Sequence, residues 1–224
     1  MPQIRPCDYE YAPGEILTNR FENEFRAGEK VGILGAVGSG KSLLIKCLAD
    51  YRLHQIGAFS PNHFCAYLSQ DLTRLFTGNT PSSIIDMYCN RQHEVGRHFD
   101  MEAFKAYCRT FEISELVEKN RRLLHYSEGE KQRLGICLAL SVQAEICILD
   151  EPTTALNKYF RRCLYDVINQ SPSGKIFFII SHRLPDILET SQTIIYMENS
   201  KVRDIFPAHK IIEKEALLQY YSFL

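Results

Sequence analysis

An excess of charge of either sign is missing from this chain of 224 residues: 26 Lys and Arg stand against 27 Asp and Glu, for a formal net charge of -1. A protein held to nucleic acid by bulk phosphate attraction needs a basic surplus, so that class is set aside. No apolar run approaches the roughly 18 residues that cross a bilayer. The strongest, from Lys175 to Ile180, has the length of a strand. Met1 to Tyr11 carries Arg5, Asp8 and Glu10 and lacks the apolar stretch of a signal peptide, which argues against secretion. Work at a membrane would therefore call for another chain that crosses it. Cys-x-x-Cys is absent too. The eight cysteines, at 7, 47, 65, 89, 108, 137, 147 and 163, stand apart, and none has a histidine at zinc-finger spacing. Most are flanked by Leu, Ile, Ala or Val, so they read as free thiols used as small apolar core residues in a reducing compartment. Internal repeats and low-complexity tracts are absent as well.

With 45% hydrophobic residues, the chain can build one large core. Glu29 to Leu34 reads as a short buried strand, followed by the turn Gly35-Ala36-Val37-Gly38-Ser39-Gly40 and a helix over Lys41 to Asp50. The same continuous apolar texture recurs at Ile146 to Leu149, Lys175 to Ile180 and Thr193 to Met197. Such strands alternating with helices predict a mostly parallel sheet covered on both faces, an α/β fold. Between Asp71 and His125 the apolar residues recur at helical spacing, through Ile84 to Tyr88, Phe99 to Tyr107 and Ile113 to Val117, and no strand pattern is visible. This stretch reads as an inserted helical subdomain with Pro81 near a helix start and a polar run over Glu118 to Arg122. Arg121-Arg122 and Arg161-Arg162 read as solvated faces. Phe206 to Leu224 is expected to form a closing helix, with Leu217, Leu218, Tyr221 and Leu224 on its apolar side.

Gly35-x4-Gly40-Lys41-Ser42 satisfies the spacing of a phosphate-binding loop, in the strand-to-helix context that the chemistry requires. The glycines Gly35, Gly38 and Gly40 let the backbone N–H groups of Ala36, Val37 and Ser39 turn inward around a phosphate. The helix N-terminus adds partial positive charge. Lys41 is placed to bridge the β- and γ-phosphates of a nucleotide, and Ser42 to offer its hydroxyl to Mg2+. A second half of such a site needs carboxylates at the end of a neighbouring strand. Ile146-Cys147-Ile148-Leu149-Asp150-Glu151 supplies them, with Asp150 on the magnesium side and Glu151 as the base that polarises the attacking water.

Upstream of that strand, Tyr126-Ser127-Glu128-Gly129-Glu130-Lys131-Gln132-Arg133 resembles the signature motif of ABC-type ATPases, usually Leu-Ser-Gly-Gly-Gln, and keeps Ser127 and Gly129. The resemblance spans nearly the whole chain. Gln70 matches the glutamine that senses magnesium and water at the junction with the helical subdomain. Thr153-Thr154-Ala155-Leu156-Asn157 matches the loop that touches the opposite subunit, and His182 the switch histidine near the γ-phosphate. Tyr11 is the best match for the aromatic residue that stacks on adenine, with Tyr9 as its rival and packing on the sheet edge as the alternative. The fold implied is a P-loop NTPase core with an N-terminal antiparallel β element and an inserted helical subdomain. That makes one domain over 1–224, with residues 1–70 and 126–224 as the catalytic core and 71–125 as the insertion.

The resemblance implies ATP and Mg2+ as ligands, with Ser42, Gln70 and Asp150 around the metal. It also implies a second ATPase subunit, a homodimer being the expected form, with each ATP between Lys41 of one chain and Ser127 of the other. An integral membrane permease would be the further partner, placing the chain on the cytoplasmic face of the membrane, and no nucleic acid is involved. Phe76, Phe104 and Tyr107 are either permease contacts or helix-core residues. Leu75-Phe76-Thr77-Gly78-Asn79-Thr80 is similar to the Leu-Phe-x-Gly-Thr element of many exporters, which favours export. The compact length and Tyr126-Ser127 resemble capsular-polysaccharide exporter ATPases, whereas Pro152 and Asn157 do not fit that group.

Four departures from the family pattern stand out: Tyr126 for Leu, Glu128 for Gly, Glu130 for Gln and Asn157 for Asp. Glu128 is harmless if it points outward and costs anion affinity if it faces inward. Asn157 removes a charge that helps couple the two sites. An alternative reading is therefore a catalytically weak, nucleotide-gated subunit that pairs with another ATPase. A soluble ABC ATPase of DNA repair or translation is a third, expected to carry a coiled-coil insertion or a tandem domain that these residues do not show.

Overall fold

The computed structural model describes residues 3–4, 7–12, 14–20, 23–44, 65–72, 78–90, 98–171 and 174–213. They fall into two compact units, residues 1–63 with 171–224, and residues 64–170.

In the first unit the apolar runs become a sheet whose strand order is β2 (Cys7–Ala12), β3 (Glu15–Asn19), β12 (Lys201–Pro207), β11 (Thr193–Glu198), β5 (Lys30–Leu34), β10 (Ile176–Ile180). β5 runs parallel to both neighbours, with Ile180 opposite Ile33 and Ile194 opposite Gly32. All five residues of β10 are buried, as expected of a strand covered on both faces. Gly32 is needed for that cover. A Cβ there would lie 2.5 Å from Cγ2 of Ile187, on the helix that follows β10. Phe25 meets Phe178 edge to face at 5.1 Å, a geometry that contributes about 0.5–1.5 kcal/mol beyond burial.

β11 and β12 form a hairpin through Asn199 and Ser200, both left-handed at φ 50° and 55°, as a two-residue turn that matches the strand twist requires. The N-terminal antiparallel element is β2 against β3, turning at Gly14 (φ 79°). A separate two-stranded pair joins β1 (Gln3–Ile4) to β4 (Asn23–Glu24).

The second unit holds β6 (Cys65–Leu68) parallel to β9 (Ile146–Asp150), with Leu68 opposite Leu149. Its helices are α1 (Pro81–Asn90), α2 (Met101–Thr110), α3 (Ser114–Lys119), α4 (Glu128–Ser141) and α5 (Lys158–Gln170). α4 is buried from Leu134 through Ser141, the pattern of a helix enclosed on every side. Gly135 lets it come close to β6, since a Cβ there would sit 2.9 Å from Cδ1 of Leu68. Cys108, Cys137 and Cys147 are buried free thiols, and burial, then the neighbouring Cys108, push the Cys137 thiol well above its usual range. Among the described residues, no helix is long and apolar enough to cross a membrane.

Two expectations are corrected. The stretch read as purely helical contains a strand, β7 (His98–Phe99), antiparallel to β8 (Val142–Gln143). Two residues are too few to leave a period-2 signal, and the pairing partner is distant in sequence. The closing helix does not begin at Phe206. That residue is buried in β12, and a 3-10 segment, Ala208–Glu213, follows; Leu217, Leu218, Tyr221 and Leu224 lie outside the described residues. Pairing with β11 overrides the helical spacing there. Of the two readings of Phe104, helix-core packing holds, since it is 2% exposed and its ring lies 5.5 Å from that of Phe99. Residues 41–44 are helical, and positions 45–50 of the expected helix lie outside the described residues, as does Phe76.

Candidate functional site

β5 delivers the chain into the loop 35–40 with Leu34 fully buried. Gly38 and Gly40 take φ 79° and 94°, a region that side chains disfavour. A Cβ on Gly35 would come within 2.5 Å of the Ser39 hydroxyl, and one on Gly40 within 3.1 Å of Cα of Ser200. The loop is therefore a cradle that only glycine permits. Its base is tied to the β11–β12 turn by the Ser200 N–H, which donates to the Ser39 carbonyl at 3.1 Å.

Lys41, 7% exposed, folds over the loop, and its Nζ donates to the carbonyls of Gly35 (2.7 Å) and Ala36 (2.8 Å). The Ser39 hydroxyl is buried with no hydrogen-bond partner among the described residues. A close-fitting cradle, a buried ammonium and an orphan hydroxyl fit the phosphate chain of a nucleotide. Ser42, half-buried one residue on, carries a hydroxyl suited to a magnesium ion.

In the same unit, β10 ends beside β5, so His182 follows a strand whose C-terminal end lies level with the start of the loop. The chain after His182 is clamped. Ser181 donates to Oδ2 of Asp186 (2.8 Å), accepts from the Arg183 N–H (3.0 Å) and so launches α6 (Leu184–Thr190). Tyr11 lies on β2 where its register against β3 shifts between Glu10 and Ala12. The choice between Tyr11 and Tyr9 concerns side chains outside those described.

In the second unit, β9 carries Asp150 to its C-terminal end, 2% exposed, and Oδ2 accepts from the Tyr67 hydroxyl at 3.2 Å. Burial, and next the Asp150 charge, push the Tyr67 phenol up to about 12, so it remains a proton donor at neutral pH. β6 and β9 are in register, which sets Gln70, exposed, just past the strand beside the one that ends in Asp150. Glu151 is buried and left-handed at φ 49°, a conformation that costs a side chain roughly 1–2 kcal/mol. The turn after it restrains it. The Thr154 hydroxyl donates to the Glu151 carbonyl (3.1 Å), and Gln132 donates from Nε2 to the Pro152 carbonyl (3.0 Å).

Ser127 caps α4 with its side chain and Glu130 closes the box. The Ser127 N–H and hydroxyl both donate to Oε2 of Glu130, at 2.7 and 2.9 Å, while the Glu130 N–H donates back to Ser127 Oγ. Glu128 is outward, paired with Lys131 at 2.8 Å. A Cβ on Gly129 would lie 3.0 Å from the Ala155 carbonyl, so the start of α4 packs tightly on the loop that follows Glu151. α4 thus meets the turn after Glu151 at two points, Gly129 against Ala155 and Gln132 on Pro152.

The family model for ABC transporter matches residues 18–154, more than half of the chain. This chain belongs to the ABC transporter family. The ABC domain is similar to the lactococcin-A transport/processing ATP-binding protein LcnC of Lactococcus lactis subsp. lactis, 27% identical over 210 residues that cover 87% of this chain and 29% of LcnC. It is similar also to the thiamine import ATP-binding protein ThiQ of Brucella abortus biovar 1, 26% identical over 235 residues that cover 97% of this chain and 95% of ThiQ. Among solved structures, a bacterial Atm1-family ABC exporter with ATP bound superposes with TM-score 0.77 at 19% identity, over 98% of this chain and 41% of that one. That likeness shows the fold, a P-loop NTPase of the mixed, mostly parallel α/β kind. The chain spans less than a third of LcnC and nearly all of ThiQ.

Several residues that shape the ABC domain's sites escaped sequence reading. Ser127-x-x-Glu130 is the spacing of a capping box, so the role of Glu130 was legible and was missed. Ser181 with Asp186, and Tyr67 with Asp150, carry no comparable signal. Asn157, read as a lost charge, is a helix cap, since its Oδ1 accepts from the Phe160 N–H at 2.9 Å at the start of α5. Asn157→Ala is expected to lower stability by about 1 kcal/mol in urea unfolding, with Asn157→Asp neutral. An unchanged midpoint for the alanine variant would show that the cap contributes nothing. Tyr126, in place of Leu, is buried and donates its hydroxyl to the Leu116 carbonyl, so this departure serves packing.

Proposed function

We propose that this ABC domain binds ATP with magnesium and hydrolyses it, in an assembly of two ATP-binding subunits that drives a separate membrane permease from the cytoplasmic face. The observation that carries the reading is the phosphate cradle, with left-handed Gly38 and Gly40 and the buried Lys41 ammonium at its mouth. In this reading the loop N–H groups and Lys41 hold the phosphates. Ser42 and Asp150, with Gln70, hold magnesium, which when bound neutralises charge on the phosphate oxygens. Glu151 takes the proton of the attacking water, and His182 steadies the terminal phosphate. Ser127 and Gly129 face the nucleotide of the second subunit, and Tyr11 stacks on its own adenine.

For direction we propose export, supported by the sequence element at 75–80 and by the likeness to a putative export ATP-binding/permease protein of Rickettsia felis, 27% identical over 221 residues that cover 89% of this chain and 37% of that one. The likeness to the thiamine importer makes uptake the reading that transport assays must defeat. The test is to purify the tagged chain from its native membranes and measure phosphate release with and without magnesium. One polytopic membrane protein in the eluate together with magnesium-dependent turnover supports the proposal, and soluble partners alone would sink it.

One observation favours the second reading, a weak subunit paired with a different ATPase. The Ser127 hydroxyl is already donated to the Glu130 carboxylate, which brings negative charge to the face where a phosphate would approach. On that reading Glu130→Gln raises turnover of the assembly several-fold. Equal or lower turnover in this variant removes the support.

A further inference from the structure

Parallel pairing of β6 and β9 sets Tyr67 opposite Ile148, so their side chains share one face of the strand pair. Asp150, two residues beyond Ile148, returns to that face. A tyrosine ring spans this diagonal, and the hydroxyl arrives 3.2 Å from Oδ2 of Asp150. Phenylalanine would fill the same volume and leave that carboxylate oxygen without this donor. The phenol is half-buried on β6, three residues before Gln70. Tyr67 and Asp150 therefore form a polar link between the strand that leads to Gln70 and the carboxylate at the end of β9.

We infer that Tyr67 is a positioning residue, whose hydroxyl fixes the rotamer of Asp150 and thereby sets how readily the ABC domain takes up magnesium with its nucleotide. This rests on the proposed role of Asp150 as the magnesium-side carboxylate. A carboxylate turned by a fixed donor loses less freedom when it engages a cation or its water shell, so the hydroxyl acts on magnesium affinity and leaves nucleotide binding without metal untouched.

The test uses the full chain and a fluorescent ATP analogue, with binding followed as magnesium is titrated and again in a chelator. For Tyr67→Phe the half-saturating magnesium concentration is expected to rise about threefold to tenfold, the effect of losing one hydrogen bond to a charged group, with affinity in chelator unchanged. Asp150→Asn should remove the magnesium dependence, and Tyr67→Phe should add nothing in that background.

Wild-type magnesium dependence in Tyr67→Phe beside its loss in Asp150→Asn would overturn the role of Tyr67 alone. A Tyr67→Phe shift that persists undiminished in the Asp150→Asn background would make the effect merely structural and overturn it too. Retained magnesium dependence in Asp150→Asn would overturn the underlying assignment of Asp150.

Discussion

Lys41→Ala is expected to abolish magnesium-dependent ATP hydrolysis and to weaken nucleotide binding about 100-fold. Lys41 is 7% exposed and its ammonium is held over the loop by the carbonyls of Gly35 and Ala36, so its position is set before any ligand arrives. A preorganised charge loses little freedom on binding, and its full hydrogen-bond energy to a phosphate is realised. Losing a charged hydrogen bond of this kind costs about 3 kcal/mol, two powers of ten in affinity. Titration calorimetry with ATP measures it directly. The variant also loses two internal hydrogen bonds, so its unfolding midpoint is read beside the affinity. A folded Lys41→Ala protein that binds ATP as well as the parent would refute the cradle as the nucleotide site.

Glu151→Gln is expected to lower turnover by about 100-fold or more while leaving ATP affinity within a factor of two. The substitution keeps volume and hydrogen-bonding reach, so the left-handed turn at φ 49° and its bonds from Thr154 meet the same backbone demands. What it removes is the ability to accept a proton, and positioned general bases contribute roughly 100-fold to 10,000-fold. Single-turnover phosphate release, compared with calorimetric affinity on the same sample, separates chemistry from binding. Unchanged turnover would show that another group accepts the proton. Loss of affinity as well as rate would place Glu151 in the binding of the nucleotide itself.

The residues that could be read from the chain alone share one property, which is that they act together with their neighbours in sequence. In the proposed role the stretch from Gly35 to Ser42 would act through consecutive N–H groups at the start of a helix, so the spacing of adjacent residues carries the signal in one dimension. Asp150 and Glu151 stood out because they end a continuous apolar strand in a chain that already carries the loop, and β9 does end at Asp150. The alternation of such strands with helices likewise announced the α/β class.

Other features depended on which segments became neighbours. Glu151 is left-handed and held by a turn that Gln132, on α4, pins through Pro152. β12 took Phe206 into the sheet because β11 offered it a ladder, against the helical spacing of its own side chains. Tyr67 and Asp150 lie 83 residues apart, and only the in-register pairing of β6 with β9 brings phenol to carboxylate. Composition and local spacing by themselves determined the α/β class and singled out the glycine loop and the carboxylate pair as candidates, because each depends on contiguous residues. The tertiary structure alone decided which carboxylate is held, by what donor and in what strain, because strand register and helix packing are settled by core burial across the whole unit.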